Sequence, residues 1–177
     1  MGMRKLRRGS PADLEAVAEL EALCFPPAEA ADRETLAGRL KAYGDHFLLL
    51  EEGDRLIAFL DGFATDEADL RDEMYADPSM HREDGMWEMI FGVDTHPDFR
   101  RQGCASLLLE QAVRDAEAAG RLGLVLTCKE GLASFYARFG FRDEGITEKS
   151  RHGGASWRQM RLRFSESGGI HGVRTCR

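Results

Sequence analysis

Apolar residues recur along this chain at two spacings, one typical of helices and one typical of strands. A long amphipathic pattern follows Gly103, and shorter helical patterns follow Pro11, Asp32 and Gly131. Compact or alternating apolar stretches predict strands, and these lie at 3–8, 46–51, 55–63, 86–94, 122–127, 141–148 and 157–164. Strands at both ends of the chain, with helices between them, predict an α/β fold in which helices cover a mixed sheet.

The patterned part of the chain ends near residue 164. The length of 177 residues suits one domain, and we find no internal repeat, so we predict a single domain over residues 1–164. Residues 165–177 have no apolar period, which predicts an unstructured or artificially added tail. The acidic stretch 64–85 is weakly patterned, and we expect it to be a connection that contains one helical turn.

Composition and charge narrow the class of protein. Apolar residues make up 43% of the chain and charged residues 31%, which is typical of a globular protein. The net charge of −7 argues against a nucleic-acid or anionic-membrane partner, because both need a basic face. No apolar run has the length of a membrane span. The 4 cysteines lack metal-binding or disulfide-framework spacing, so we expect no metal and a reducing cytoplasm.

The stretch from Gly92 to Ala105 carries the clearest chemical pattern. A strand end is followed by a basic turn that contains Gly103, and this turn opens the long helix. A helix that begins in this way directs unpaired N–H groups and the positive end of its dipole at one place, where a phosphate is the natural ligand. Arg100 and Arg101 add mobile positive charge. The glycine spacing differs from that of the dinucleotide fingerprint and of the Walker loop.

Several segments of the chain resemble one enzyme family. Arg100–Ala105 resembles the acetyl-coenzyme A (acetyl-CoA) loop of the GNAT N-acetyltransferase superfamily, and Cys128–Glu130 with Ser134–Phe141 is similar to its late helix and strand. The similarity to the arylalkylamine (serotonin-type) branch lies in Leu56–Phe59, Thr65–Glu67, Leu70, Glu73 and His81. The resemblance covers residues 4–164. It implies a GNAT-like mixed, mostly antiparallel sheet with a splayed central parallel strand pair and helices on both faces.

The resemblance also implies acetyl-CoA as co-substrate and gives roles to particular residues. The thioester would lie along the strand that contains Phe91, Gly92 and Val93, where the main-chain N–H of Val93 would donate to the acetyl oxygen. Tyr136 matches the general acid that protonates the departing thiolate, although helical spacing alone would place it in the core. The implied coenzyme-binding residues are Phe91, Gly92, Val93, Arg100, Arg101, Gln102, Gly103, Cys104, Ala105, Ser106 and Tyr136.

The general base is left open by the sequence. In the arylalkylamine branch, paired histidines on the strand before the loop serve this step, and this chain has Trp87 and Met89 there. Glu88 and His96 are the alternatives, although Glu88 faces the other side of a regular strand unless a bulge turns it. Candidate residues for the amine entrance are Asp66, Glu67, Glu73, His81, Trp87 and Met89. A solvated acidic loop, or core packing for the last two, is the competing interpretation.

Together these features predict an acetyl-CoA-dependent N-acetyltransferase. It would transfer acetyl directly to a primary amine, a small arylalkylamine or polyamine-like substrate, without an acyl-enzyme on Cys104. Two alternatives stay open: a protein or peptide N-acetyltransferase, and a non-catalytic acyl-CoA sensor. A homodimer is also left open.

Overall fold

A mixed sheet organises the part of the chain that the computed structural model describes, residues 2–165. Seven strands form this sheet, and they are β1 Arg4–Arg8, β2 Leu48–Glu52, β3 Arg55–Thr65, β4 Trp87–Thr95, β5 Gly123–Cys128, β6 Arg142–Thr147 and β7 Trp157–Arg163. Their order across the sheet is β1-β2-β3-β4-β5-β7-β6. The predicted tail at 165–177 lies, apart from Ser165, outside the described residues.

The centre of the sheet contains a parallel pair that separates partway along its length. Strands β4 and β5 are parallel, whereas the other neighbouring strands are antiparallel. Pairing of β4 with β5 starts at Trp87 opposite Gly123 and ends at Ile90 opposite Leu126. Both strands continue past that point, to Thr95 and Cys128. The splayed central pair expected from the resemblance is therefore confirmed, and it opens a groove between the two strand ends.

Five α-helices connect and cover the strands within residues 2–165. They are α1 Leu14–Cys24, α2 Arg33–Tyr43, α3 Asp72–Ala76, α4 Cys104–Ala118 and α5 Ala133–Ala137. The long predicted helix is α4, and α3 is the helical turn expected in the acidic connection. Helix α5 is shorter than the helical pattern that follows Gly131, because a 3₁₀ turn at Glu130–Leu132 replaces its start. Among the described residues, no helix has the length and apolar composition of a membrane span.

Two apolar clusters hold the helices against opposite faces of the sheet. Helices α1 and α2 pack on one face, where Leu49 and Phe59 are buried with Leu36. Helix α4 packs on the other face, where Leu48 and Leu108 are buried. Successive leucines of β2 thus enter different clusters, which explains why this strand reads as a continuous apolar run.

A bulge in β4 changes which face each side chain meets beyond the splay. Its pairing with β3 steps from Ile90 opposite Gly62 to Gly92 opposite Asp61, so Phe91 is the extra residue. A Cβ on Gly62 would lie 1.9 Å from the carbonyl oxygen of Met89, so this close approach requires glycine. Phe91 packs with the α1–α2 cluster and Val93 with the α4 cluster, although a regular strand would place them on one face.

Candidate active site

The groove between the strand ends contains two adjoining cavities. The first, here the loop cavity, is lined at one end by Arg100, Arg101, Gly103, Cys104, Ala105 and Ser106. The second, here the inner cavity, lies toward α1 and α2 and has a volume of ≈ 270 Å³. Val93 and Tyr136 line both cavities. The two spaces therefore meet where the resemblance puts the reacting thioester.

The start of α4 presents main-chain donors to the loop cavity. Gly103 has φ 80° and Arg101 has φ 61°, so the chain turns sharply into the helix. The first carbonyl-bonded amide of α4 is that of Leu107, which donates to Gly103 at 3.1 Å. Among the described residues, the amides of 101–106 have no main-chain carbonyl partner. These unpaired donors, with the helix dipole, suit a diphosphate.

The loop is held to the sheet from outside the cavity. Arg4 on β1 donates to the side-chain oxygen of Gln102 at 2.6 Å and to its carbonyl oxygen at 3.1 Å. The amide of the Gln102 side chain in turn donates to the carbonyl oxygen of Asp98 at 3.2 Å. The Gln102 side chain is thus engaged in structural contacts, whereas its main-chain amide stays available.

Tyr136 projects from α5 to the junction of the two cavities. The residue is 9% exposed, and no hydrogen bond from its hydroxyl is formed within residues 2–165. Burial raises its pKa above the ordinary value, and the nearby Cys128, Asp94 and Tyr75 raise it further. The phenol is therefore protonated at neutral pH and has a free O–H to donate.

The inner cavity has aromatic walls around a buried ion pair. The aromatic residues that line it include Phe25, Tyr75, Phe91, Tyr136, His152 and Trp157. Arg39 donates to Asp61 at 2.8 Å, and its guanidinium lies 5.0 Å from the centre of the Phe91 ring. Both members of this pair are almost fully buried. Burial raises the pKa of Asp61 to about 6, and Arg39 keeps its carboxylate ionised at neutral pH.

Sequence reasoning missed three carboxyl groups at the inner cavity. Glu21 and Asp61 line it, and Oδ1 of Asp94 lies 3.1 Å from where a Cβ on Gly92 would stand. All three residues are buried. The sequence signal that could have found them is an acidic residue inside an apolar helix or strand pattern. Acidic side chains are rarely buried, and those that are buried often belong to functional sites.

The two base candidates from the sequence lie outside both cavities. Glu88 faces away from Trp87 and Met89, as expected of this regular part of the strand. The bulge at Phe91 lies further along β4 and does not change the direction of the Glu88 side chain. Its carboxylate binds His46 Nδ1 at 2.7 Å and contacts Arg121 Nε at 3.1 Å. His96 Nδ1 accepts from the N–H of Asp98, and its Nε2 contacts Arg55 at 2.8 Å.

The six predicted amine-entrance residues are likewise not brought to the groove. Trp87 and Met89 are buried in the α1–α2 cluster. Asp66 accepts the N–H of Met86, while Glu67 and Glu73 both pair with Arg71. His81 accepts the N–H of Ala64 on Nδ1, which places the proton on Nε2, where it faces Glu83. Other acidic residues of this connection bind the end of the chain, where Asp69 pairs with Lys149 and Arg161.

Replacing Glu88 by Gln is expected to lower stability rather than acetyl transfer. Burial lowers the pKa of His46, but the carboxylates of Glu88 and Glu83 outweigh it and raise this pKa to about 9. The resulting stabilisation is fully present below the unfolded-state pKa of about 6.5 and disappears as the pH rises through 9. Thermal unfolding at pH 6 should therefore show a loss of about 2 kcal/mol that shrinks by pH 10.

Glu83→Gln is the matched control for this prediction. Glu83 also contacts His46, but its side chain is 76% exposed, so its removal should change stability less. If the Glu88→Gln variant unfolded like wild type but lost all turnover, Glu88 would be the general base after all.

Comparison with known proteins identifies the family. The sequence model of the acetyltransferase (GNAT) domain matches residues 43–143, more than half of the chain. Serotonin N-acetyltransferase from Mesocricetus auratus is 31% identical over 150 residues, and the match covers 77% of this chain and 66% of that protein. The chain therefore belongs to the GNAT acetyltransferases. It spans about two thirds of the length of the serotonin N-acetyltransferase that it matches.

Solved structures show the same fold. The loading GNATL domain of CurA from Lyngbya majuscula has a TM-score of 0.78 at 18% identity, covering 92% of this chain and 98% of that one. The yncA structure from Salmonella typhimurium, solved with its cofactor acetyl-CoA, has a TM-score of 0.64 at 17% identity. That match covers 92% of this chain and 95% of the other. Family membership makes acetyl-CoA the acyl donor, and the open amides before Leu107 fit its diphosphate.

Proposed function

We propose that the protein transfers the acetyl group of acetyl-CoA directly to a small primary amine of the arylalkylamine or polyamine-like class. One observation carries the proposal: the groove joins an anion-binding helix start to an aromatic cavity that contains buried carboxyl groups. The junction of the two is at Val93 and Tyr136. A donor thioester and an acceptor amine entering from opposite ends would meet there.

The coenzyme end of the groove supports the proposed roles of the loop and of β4. The amides of 101–106 would bind the diphosphate, and Arg100 and Arg101 would add charge. Past Ile90, strand β4 has no β5 partner, so residues 91–93 offer main-chain groups to the extended arm of the coenzyme. The N–H of Val93 would donate to the acetyl oxygen as negative charge develops on it. Tyr136 would protonate the leaving thiolate.

The acceptor end supports a small amine with an aromatic group. The inner cavity is close to the lower end of the usual size range for small-molecule sites, which begins at about 300 Å³. Its aromatic walls suit a flat ring, and its buried carboxyl groups suit a cation. The similarity to serotonin N-acetyltransferase favours the same class of acceptor. We place the reaction in a reducing cytoplasm, since Cys24, Cys104 and Cys128 are free thiols.

A screen of amines by release of coenzyme A thiol tests the proposal. Arylalkylamines, polyamines, amino acids and peptides with free N-termini would be compared at fixed acetyl-CoA. Preferred transfer to arylalkylamines or polyamines is the expected result. Transfer to peptides only would identify a protein N-acetyltransferase. Binding of acetyl-CoA without transfer to any amine would identify an acyl-CoA sensor instead.

A further inference from the structure

Asp94 is a buried acidic residue that receives no hydrogen bond from a donor group. It is 0% exposed, and neither of its carboxyl oxygens has a hydrogen-bond partner within residues 2–165. Leaving such a group unpaired in the interior is costly, and an apolar residue of similar size would avoid that cost. Its position, immediately after Val93 on β4, puts this unpaired group beside the proposed reaction centre.

Glu21 and Asp61 are the carboxyl neighbours of Asp94, and both line the inner cavity. Glu21 is on α1 and lines the cavity, and it accepts the N–H of Ala31 at 3.0 Å. No ion pair to Glu21 forms among the described residues. Asp61, in contrast, forms an ion pair with Arg39. A Cβ on Gly92 would lie 3.1 Å from Oδ1 of Asp94 and 3.1 Å from Oδ1 of Asp61, so a side chain here would crowd both carboxyl groups.

We infer that Glu21 and Asp94 form a carboxyl pair that binds the ammonium group of the acceptor and removes its proton. This assignment rests on the proposed function and completes it, because Glu88 and His96 lie outside the groove. Glu21 would be the catalytic base, since it lines the cavity. Asp94 would be a positioning residue that acts through Glu21.

Charges around the pair support one shared proton at neutral pH. Burial raises the pKa of Asp94 well above its ordinary value, and the negative charges of Glu21 and Asp61 raise it further. The other groups that face the pair are Cys24 on α1, Arg39 on α2 and Tyr136 on α5. Arg39 donates to Asp61 and also attracts Glu21 through its charge. Two buried carboxyl groups this close hold one proton between them more readily than they both ionise, so the pair would carry one negative charge, which suits one ammonium.

The proton and electron balance of the step is complete. The ammonium gives one proton to the carboxylate of Glu21 and becomes a neutral amine. Its nitrogen lone pair then forms the C–N bond to the acetyl carbon, and the C–S bond breaks as the thiolate takes the proton of the Tyr136 phenol. The second proton of the nitrogen returns to the phenolate, and the carboxyl pair releases its proton to solvent.

The closing experiment compares Glu21→Gln with wild type on two acceptors. The glutamine keeps an oxygen for the N–H of Ala31 but cannot take a proton. With phenethylamine, kcat/KM should fall on the order of 10²-fold to 10³-fold. The decrease of kcat/KM toward low pH, which wild type should show, should be absent from the variant. With β,β-difluorophenethylamine, whose fluorines lower the pKa of its ammonium, the loss should be much smaller. Glu19→Gln, an exposed change on the same helix, is the control and should resemble wild type.

Asp94→Asn provides the second variant. An amide is a weaker donor to Glu21 than a carboxylic acid, so the acidic limb of kcat/KM should move to higher pH. Because folding raises the pKa of Asp94, wild type loses stability as the pH rises above about 4. The asparagine variant should avoid this loss, so its advantage in thermal unfolding should grow with pH.

The results for wild type and for the two variants test the carboxyl pair and the proposed function separately. If wild type acetylates amines while Glu21→Gln and Asp94→Asn keep its pH profile, the carboxyl pair is overturned and the function stands. Equal losses of Glu21→Gln on both acceptors would also overturn it, because a merely structural role would not depend on the ammonium. A wild type that transfers to no amine fails the proposed function itself, and the base assignment falls with it.

Discussion

Replacing Tyr136 by Phe is expected to lower kcat on the order of 10²-fold while leaving the affinity for coenzyme A nearly unchanged. The hydroxyl lies at the junction of the two cavities and makes no hydrogen bond within the described chain, so its removal should break no structural contact. What is lost is the proton for the leaving thiolate, an interaction made only as the C–S bond breaks. Steady-state kinetics with calorimetry of coenzyme binding separates the two effects.

Tyr43→Phe is the matched control for Tyr136→Phe. Tyr43 is also buried, and its hydroxyl has no partner, but it does not line the groove. Removing that hydroxyl should leave kcat unchanged and should not destabilise the protein. If Tyr136→Phe turned over as fast as wild type, the phenol would be a core residue, as helical spacing alone indicates.

Replacing Gly103 by Val is expected to raise the Kd for acetyl-CoA on the order of 10²-fold. A β-branched residue is strained at φ 80°, and its side chain would stand where the main chain must approach the diphosphate. Loss of even one or two charge-assisted hydrogen bonds, at about 1.5–3 kcal/mol each, accounts for this change. Calorimetry measures it directly, and the rise in Tm on adding acetyl-CoA should shrink in parallel.

The Gly120→Val variant is the control that distinguishes backbone strain from the loss of coenzyme contacts at Gly103. Gly120 follows the other end of α4 with φ 74°, and a Cβ at either glycine would have no atom within 4 Å. Both variants should therefore lose a similar stability, about 1–2 kcal/mol for a left-handed residue with a side chain. Coenzyme affinity should change only at Gly103. Equal losses of affinity at the two ends would mean that the helix start is an ordinary cap.

The local features of this fold were predictable because short stretches of chain encode them. The strands and α4 follow from apolar spacing, and the turn at Gly103 follows from its position between a strand and a helix. The splayed pair was expected from the resemblance, and its register confirms it. Helix α5 was predicted too long, since its apolar face does not distinguish an α-helix from the 3₁₀ turn that precedes it.

The chemistry of the inner cavity depends on contacts between distant parts of the chain. Glu21, Asp61 and Asp94 come from α1, β3 and β4, and no spacing rule relates them. The bulge at Phe91 places Val93 and Asp94 on faces opposite to those of a regular strand, so counting residues along β4 gave no base. The sequence by itself determined the strands, the long helix α4 and the glycine turn before it, because these depend on neighbours along the chain. Only the tertiary structure brought these three carboxyl groups together in the interior, because burial and proximity across elements do not follow from local spacing.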